Sequence, residues 1–316
     1  MYGIAEWFGR AMAELTSEER VEYAKKAQQP IEEAHMECPY RTKTFGKPML
    51  CNKAGGVCAL ASYSQDSTAS APTIAPSSVC ICPARLLEPA VFRRIGQAIL
   101  GSEDMFLVRE VPFLQNAVPS DNGPTFKAGR IDFVIVDKDD RSKWCAVETQ
   151  SVYFSGQNMG MEFDALIASG GDLIMPVGRR RPDYRSSVPK RLSPQLMLKV
   201  PQLGRGKYLA VIVDEFVYRQ MAPLAEVPVD SCEMTPEELR LEKLALSEVI
   251  WFIVALRTNQ PTTIETERYT TLAHSIQAVD SALPIPMNRF TANLSQLIDD
   301  PSQRGDKVIP LFAEPS

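Results

Sequence analysis

Two short segments carry acidic and amide side chains within otherwise apolar sequence, and such side chains can bind a metal ion. The segment RIDFVIVD contains Asp132, and the segment WCAVETQ contains Glu148 and Gln150. Their β-branched and aromatic residues predict two strands, and the polar segment DKDDRSK between them predicts the turn of a hairpin. Because side chains alternate along a strand, Glu148 and Gln150 are expected on one face and Thr149 on the other.

The predicted hairpin brings two carboxylates together. Asp132 on the first strand is expected beside Glu148 on the second, and two such carboxylates repel each other unless a divalent cation binds between them. Mg²⁺ in that position lowers the pKa of a water molecule and stabilises negative charge on a phosphoryl oxygen. The pair therefore predicts a magnesium site for phosphoryl chemistry. The alternative is a hairpin whose acidic side chains are simply exposed.

The hairpin also resembles the pattern of the PD-(D/E)xK nucleases, in which an Asp is followed, after a turn, by Glu-x-Lys. Gln150 stands in the place of the lysine. A neutral amide cannot supply a positive charge, but it can orient an attacking water molecule through a hydrogen bond or support the hydration shell of the metal. Gln150 is therefore the third candidate catalytic residue.

A second group of residues with metal-binding chemistry lies nearer the N-terminus. Five of the seven cysteines fall within residues 38–82, in segments rich in Pro and Gly. These five are Cys38, Cys51, Cys58, Cys80 and Cys82. In a cytosolic chain such clustering indicates a metal site more than disulfides, and four thiolates suit Zn²⁺ or a single iron ion. Five cysteines compete for four places, and buried cysteines without a metal are the alternative.

Composition and charge limit the function further. The net charge of −5 argues against general coating of nucleic acid, but residues 178–191 hold six basic side chains against one Asp and could contact a phosphate backbone. The only histidines are His35 and His274, which argues against HNH nucleases and zincins.

No apolar run approaches the roughly 20 residues of a membrane span, and no signal-peptide pattern is present, so we expect a cytoplasmic protein.

The other segments predict the elements that hold the hairpin in an α/β core. Residues 59–79, rich in Ser, Ala, Pro and Thr, predict a long loop. Residues 152–171 predict a turn followed by a helix, residues 207–221 predict a strand, and residues 235–257 predict a helix that is capped by Thr235.

Several segments, in the same order along the chain, resemble the NotI restriction endonuclease family. They are IAEWFG at 4–9, CP at 38–39, Cys51 followed by Lys53, GVC at 56–58, CPARLLEP at 82–89, AVETQSVYFSG at 146–156 and FDALIASG at 163–170. The resemblance implies a PD-(D/E)xK core, in which a mixed central sheet is flanked by helices, with a small N-terminal four-cysteine metal-binding element. We expect this element within residues 1–90, and the nuclease core with a C-terminal helical extension within residues 91–316.

Carried over residue by residue, the resemblance implies Asp132 and Glu148 as Mg²⁺ ligands and Gln150 as the third member of the catalytic triad. It also implies an iron ion, or zinc, held by four cysteines, while Cys80 has no counterpart in the family. The four implied ligands are Cys38, Cys51, Cys58 and Cys82.

The function that the resemblance implies is a type II restriction endonuclease, a site-specific deoxyribonuclease. A homodimer would hydrolyse both strands of a palindromic site in double-stranded DNA, and a cognate DNA methyltransferase is expected in the host. The first alternative is a non-catalytic, sequence-specific DNA-binding protein whose cysteines form a structural metal knuckle. The second is an iron–sulfur or redox protein, which the absence of CxxC spacing argues against.

Overall fold

The computed structural model describes residues 1–66, 68, 71–114, 129–230, 234–280, 285–300 and 302. The chain divides into two compact units, Met1–Asp280 and Ser281–Ser316. Among the described residues, no helix is both long enough and apolar enough to cross a membrane.

The elements follow one another in a mixed order of strands and helices. The strands are β1 (Tyr2–Trp7), β2 (Arg10–Ala11), β3 (Val57–Ser64), β4 (Thr73–Cys80), β5 (Met105–Leu114), β6 (Gly129–Asp137), β7 (Trp144–Gln150), β8 (Tyr153–Ser155), β9 (Arg181–Asp183), β10 (Leu209–Asp214), β11 (Val249–Ala255) and β12 (Thr263–Thr270). The helices are α1 (Ser17–Ala27), α2 (Ile31–Ala34), α3 (Pro39–Phe45), α4 (Pro89–Leu100), α5 (Gly160–Ala168), α6 (Tyr184–Leu203), α7 (Glu215–Gln220), α8 (Pro236–Leu246), α9 (Leu272–Val279) and α10 (Met287–Asp299), the last of these in the second unit.

The centre of the first unit is a mixed sheet. In the described part of the chain it has six strands in the order β12-β11-β10-β7-β6-β5. Strand β10 pairs in parallel with β7 and β11, whereas the other neighbours pair antiparallel. The sequence LAVIVD of β10 is buried throughout, as expected for a strand that is covered on both faces. The predicted hairpin of β6 and β7 is confirmed, and so is the helix α5 that follows it.

Alternation along the strands distributes side chains between two apolar cores. Leu209 and Val211 of β10 pack in the core that includes residues of α1, α6 and α9. Ala210 and Ile212 pack in the core that includes residues of α4. Ala146 of β7 belongs to the first core, so the side chain two positions further along this strand also faces the α6 side. The sheet with helices on both faces confirms the predicted α/β fold.

A second sheet lies at the N-terminus and corrects the prediction of a loop over residues 59–79. Its order in the described residues is β2-β1-β3-β4, and β3 is a central strand that pairs antiparallel with both β1 and β4. Leu60 and Tyr63 of β3 are buried, and the Tyr63 hydroxyl donates a hydrogen bond to the carbonyl of Ile4 at 2.5 Å. The prediction was wrong because small uncharged residues, typical of a loop, here pack closely against neighbouring strands.

Two further predicted elements change type in the middle. The predicted strand over residues 207–221 ends at Asp214, whose carboxylate accepts a hydrogen bond from the backbone N–H of Val217 and so starts α7. The predicted helix over residues 235–257 is α8 followed by β11. The capping box of Thr235 is confirmed, but the fully buried run VIWFIVA pairs with β10 and β12 as a strand. In the first case a helix cap ends the strand, and in the second, pairing within the sheet prevails over the local pattern.

Candidate active site

The register of the β6–β7 hairpin brings Asp132 and Glu148 together. Antiparallel pairing aligns Phe133 with Val147, so the next pair towards the open end of the hairpin is Asp132 with Glu148. The backbone N–H of Asp132 donates a hydrogen bond to Oε1 of Glu148 at 3.4 Å. The two carboxylates that the sequence predicted to be neighbours therefore lie side by side.

The carboxylate of Asp132 is held by Thr149. Its Oδ2 atom accepts hydrogen bonds from the backbone N–H of Thr149 at 3.0 Å and from the Thr149 hydroxyl at 2.9 Å. Thr149 was predicted to face away from Glu148, and it pairs with Ile212, whose side chain packs on the opposite side of the sheet from α6. The Asp132 side chain reaches across to Thr149 near the end of β7. In the described part of the chain, no donor bonds Oδ1 of Asp132.

Glu148 is buried and paired with a lysine. Its side chain faces α6, as the alternation from Ala146 requires, and Nζ of Lys199 on that helix donates a hydrogen bond to Oε1 at 2.5 Å. Burial raises the pKa of Glu148 to about 7, and the negative charge of Asp132 acts in the same direction while Lys199 opposes both. The hydrogen bonds of the described residues leave Oε2 of Glu148 without a donor.

A groove runs past the ends of these strands. Asp132, Thr149 and Gln150 line it, whereas Glu148 lies beneath its surface. The amide of Gln150 donates a hydrogen bond through Nε2 to the carbonyl of Ser151 at 2.5 Å. This bond orients the amide, so that its oxygen can accept a hydrogen bond from a water molecule in the groove.

The rest of the groove wall carries several basic side chains among apolar and neutral ones. Its volume is about 490 Å³, and its lining includes four cationic side chains, Arg41, Lys53, Arg109 and Arg191. Two of these stack on aromatic rings: the guanidinium of Arg109 lies 4.6 Å from the ring centre of Phe45, and that of Arg191 lies 4.2 Å from Tyr153. Stacking fixes each guanidinium. Nη1 of Arg191 also donates a hydrogen bond to the Tyr153 hydroxyl, and the other N–H groups of this guanidinium face no acceptor among the described residues, so they can contact a phosphate.

The basic segment 178–191 divides into a structural part and a part at the groove. Arg180 is buried, and its Nη1 donates to the carboxylate of Glu162 at 2.5 Å while Nη2 donates to the carbonyl of Asn158 at 2.6 Å. Arg180 therefore fixes the loop before α5. Arg191, on α6, is the member of this segment that reaches the groove.

The segments that carry Cys38, Cys51, Cys58 and Cys82 lie next to one another. The backbone N–H of Cys38 donates to the carbonyl of Met49, two residues before Cys51, at 2.7 Å. The backbone N–H of Cys82 donates to the carbonyl of Cys58 at 3.2 Å. Cys82 also lines the groove, so the cysteine segments form one of its walls.

These four thiols influence one another electrostatically. Burial, reinforced by the nearby Cys51 and Cys82, raises the pKa of Cys38 to about 11. Burial also raises the pKa of Cys58, again with contributions from Cys82 and Cys51. Nevertheless, among the residues that the structure describes, no group of three or more His, Cys, Asp or Glu side chains is arranged to hold a metal ion. The four-cysteine metal site therefore stays a prediction.

Cys80 has different surroundings. Its thiol donates to the carbonyl of Cys82 at 3.1 Å, and its backbone N–H donates to Oδ2 of Asp214 at 2.7 Å. It is fully buried in the apolar core beside α4. These contacts tie Cys80 to the central sheet.

A protein-family model matches most of the chain. The model described as restriction endonuclease NotI matches residues 20–270. The chain belongs to the NotI restriction endonuclease family. No similar sequence was found among curated proteins.

Membership of the NotI family establishes the class of activity. The chain is a type II restriction endonuclease, a hydrolase that cuts DNA at specific sites. The matched range includes Asp132, Glu148 and Gln150, as well as the described cysteines. The alternative of a non-catalytic DNA-binding protein is not favoured.

The two strand carboxylates fit the way in which NotI-family chemistry would use Mg²⁺. This ion is commonly held by one or two carboxylates and keeps several water molecules, so it does not need a protein cluster of three ligands. Oδ1 of Asp132 and Oε2 of Glu148 have no donor in the described part of the chain, and both belong to carboxylates whose other oxygen is fixed. The donor set therefore suits a hydrated magnesium ion.

Lys199 is the member of this site that sequence patterns did not reveal. It lies 51 residues from Glu148, in a helix that also contains Pro189, Pro194 and Pro201. Local spacing carries no signal for such a contact. A weak signal was present: a lysine on the apolar face of a helix needs an acidic partner when it is buried, and Glu148 was already a candidate within an apolar strand.

Proposed function

We propose that the protein is a homodimeric, Mg²⁺-dependent endonuclease that hydrolyses both strands of a palindromic DNA site. The observation that carries the proposal is the pairing of Asp132 and Glu148, each with one fixed and one free carboxylate oxygen, at a groove that Asp132 and four cationic side chains line. A two-fold dimer suits a palindrome because each protomer meets the same half-site. A host methyltransferase would protect the same site from cleavage.

The side chains around the pair have separate tasks in this mechanism. Asp132 and Glu148 would hold the ion, which when bound supplies positive charge at the scissile phosphate and lowers the pKa of a water molecule. Thr149 keeps Asp132 in place, and the amide oxygen of Gln150 accepts a hydrogen bond from the attacking water. Attack in line with the leaving 3′ oxygen produces 5′-phosphate ends.

The cationic wall of the groove would place the DNA backbone. The stacked guanidinium groups of Arg109 and Arg191 suit bidentate contacts with phosphate, and such contacts position a duplex without reading its sequence. Replacing either arginine by Gln should weaken binding to all DNA sequences. It should also reduce the slope of log K against log salt concentration by about one.

The cysteines are proposed to form a structural metal site beside the groove. Thiolates favour iron or zinc over magnesium, so this metal would be separate from the catalytic one. Its proposed ligands are Cys38, Cys51, Cys58 and Cys82. Proximity of the four segments and the different hydrogen-bond partners of Cys80 support this choice.

Cleavage by a matched pair of variants tests the catalytic proposal. Asp132→Asn removes a ligand charge at the open end of the hairpin, whereas Asp139→Asn removes an exposed charge in its turn. We expect Asp132→Asn to lose cleavage in Mg²⁺ while keeping DNA binding in Ca²⁺, and Asp139→Asn to cut as the wild type does. Undiminished cutting by Asp132→Asn would exclude this carboxylate from the mechanism.

A further inference from the structure

Lys199 is a buried cation with a single acidic partner. Its side chain is 2% exposed, and within the described residues its ammonium group donates one hydrogen bond, to Oε1 of Glu148. Burial of an ammonium group away from water is costly, and an apolar side chain of similar size often packs there with equal or better stability. Space filling therefore does not explain a lysine at this position.

The surrounding helix directs Lys199 towards the strand end. Leu196 and Val200 of α6 are buried in the core beneath the sheet, and Lys199 lies between them on the same buried surface. Glu148 faces α6 because it shares the face of Ala146. Two independent elements, a helix and a strand, thus position the two charges against each other.

The ammonium group lies where it can orient Glu148 but not touch DNA. Lys199 does not line the groove, and its side chain is buried with Nζ bonded to the Glu148 carboxylate. Together with the backbone N–H of Asp132, it holds Oε1 of Glu148, at 2.5 Å and 3.4 Å respectively. With Oε1 held on both sides, the orientation of the carboxylate is fixed and Oε2 stays free.

We propose that Lys199 is a positioning residue of the nuclease site, which fixes the Glu148 carboxylate so that Oε2 can bind the divalent cation. This inference rests on the proposed function, because it requires Asp132 and Glu148 to bind that cation. Gln150, a neutral amide beside the same pair, cannot make this charged contact. Lys199 supplies it from a helix instead of from the strand.

Binding of Mn²⁺ to the full chain without DNA provides the test, since it reports on the site apart from catalysis. Isothermal titration would compare the wild type with Lys199→Met, which is neutral and similar in length. Removing a residue that orients a metal ligand typically costs 10- to 100-fold in metal affinity, so we expect Mn²⁺ binding about 10- to 100-fold weaker. Lys25→Met, at an exposed position on α1, is the matched control and should bind as the wild type does.

Kinetics separate positioning from a purely structural role. In Mg²⁺, Lys199→Met should lower kcat while leaving the KM for DNA unchanged, because the groove surface is intact. If Lys199→Met does not fold, Lys199→Gln replaces it, since its neutral head is one bond shorter and cannot reach Oε1 in the same way. Weaker Mn²⁺ binding by a folded variant supports the inference.

Two results would contradict these proposals, one for Lys199 and one for the metal site itself. Wild-type or tighter Mn²⁺ affinity in folded Lys199→Met or Lys199→Gln would overturn the positioning role, and tighter affinity would mean that the lysine competes with the cation. Glu148→Gln tests the underlying site in the same titration. If Glu148→Gln binds Mn²⁺ as the wild type does, the proposed metal site itself fails, which distinguishes that failure from failure of the Lys199 inference.

Discussion

Thr149 donates two hydrogen bonds to one carboxylate oxygen of Asp132, from its backbone N–H at 3.0 Å and from its hydroxyl at 2.9 Å. The two donors come from the strand that also carries Glu148. The hairpin therefore fixes the relative position of the two acids through side-chain contacts as well as through its register. A ligand held in advance loses less entropy when an ion binds.

Removing the Thr149 hydroxyl should slow cleavage without unfolding the protein. Thr149→Val keeps the shape but loses a hydrogen bond to a charged acceptor, worth about 1.5 kcal/mol or more. We expect single-turnover cleavage in Mg²⁺ to fall about tenfold, with a loss of about 1–2 kcal/mol in stability that leaves the protein folded at the assay temperature. Thr149→Ser retains the hydroxyl and serves as the control. Equal rates for the Val and Ser variants would show that the backbone contact alone positions Asp132.

Gln150 should contribute through its amide. Gln150→Ala removes the group that orients water, and we expect a loss of about 10²-fold in kcat, the scale of a removed catalytic hydrogen-bonding group. Gln150→Lys restores the commoner nuclease pattern and should retain part of the activity. The measurement is single-turnover cleavage at saturating Mg²⁺. A fully active Ala variant would assign this position to the scaffold.

The buried Asp214 should make stability depend on pH. Burial raises its pKa to about 6 from an ordinary value of 3.8, although it accepts hydrogen bonds from the backbone N–H groups of Val217 and Cys80. Because the folded state binds this proton more tightly, the group contributes stability below the ordinary pKa that is lost as pH rises through about 6. The loss is at most about 3 kcal/mol.

Urea unfolding of the wild type and of Asp214→Asn at several pH values measures this effect. The Asn variant cannot ionise, so this position should contribute no pH dependence to its stability. Because its amide N–H₂ faces the N–H of Cys80, we expect the variant to be about 1–3 kcal/mol less stable than the wild type at low pH. The wild type should therefore lose stability relative to the variant between pH 4 and pH 7. Parallel pH profiles would contradict the raised pKa.

Replacing a cysteine should lower the metal content of the protein at some positions and leave it unchanged at others. Cys58→Ser, within the proposed metal site, should lower both the tightly bound iron or zinc and the stability, because metal binding and folding of such an element are linked. Cys80→Ser should keep the metal, since that thiol contacts the carbonyl of Cys82 and the central sheet. Elemental analysis of the purified variants measures how much iron or zinc each one retains. Full activity of a metal-free preparation, after EDTA and return of Mg²⁺, would exclude a structural metal.

The parts of this molecule that sequence predicted are those determined by local pattern. The β6–β7 hairpin follows from alternation and a polar turn, and the cap of α8 follows from Thr235 with its Glu238 partner. The strand β11 was predicted as helix because a fully apolar run has neither the period of a helix nor that of an exposed strand.

The unpredicted parts depend on contacts between distant segments. Lys199 reaches Glu148 across 51 residues, and Arg85 joins the N-terminal sheet to the core through Glu6, 79 residues away. Neither contact has a spacing that could be recognised along the chain. That Cys58 and Cys82 lie near each other was predicted from the resemblance to a family and not from their spacing along the chain.

Digestion of a mixed genomic DNA, with the fragment ends sequenced, tests the central claim most directly. We expect the wild type in Mg²⁺ to give ends with 5′-phosphates at one recurring palindromic sequence, and no cleavage in EDTA. Glu148→Ala, assayed at the same concentration, should give no fragments, although it still binds DNA in Ca²⁺. Cleavage in EDTA, or undiminished cleavage by Glu148→Ala, would contradict a mechanism based on a divalent cation held by Asp132 and Glu148.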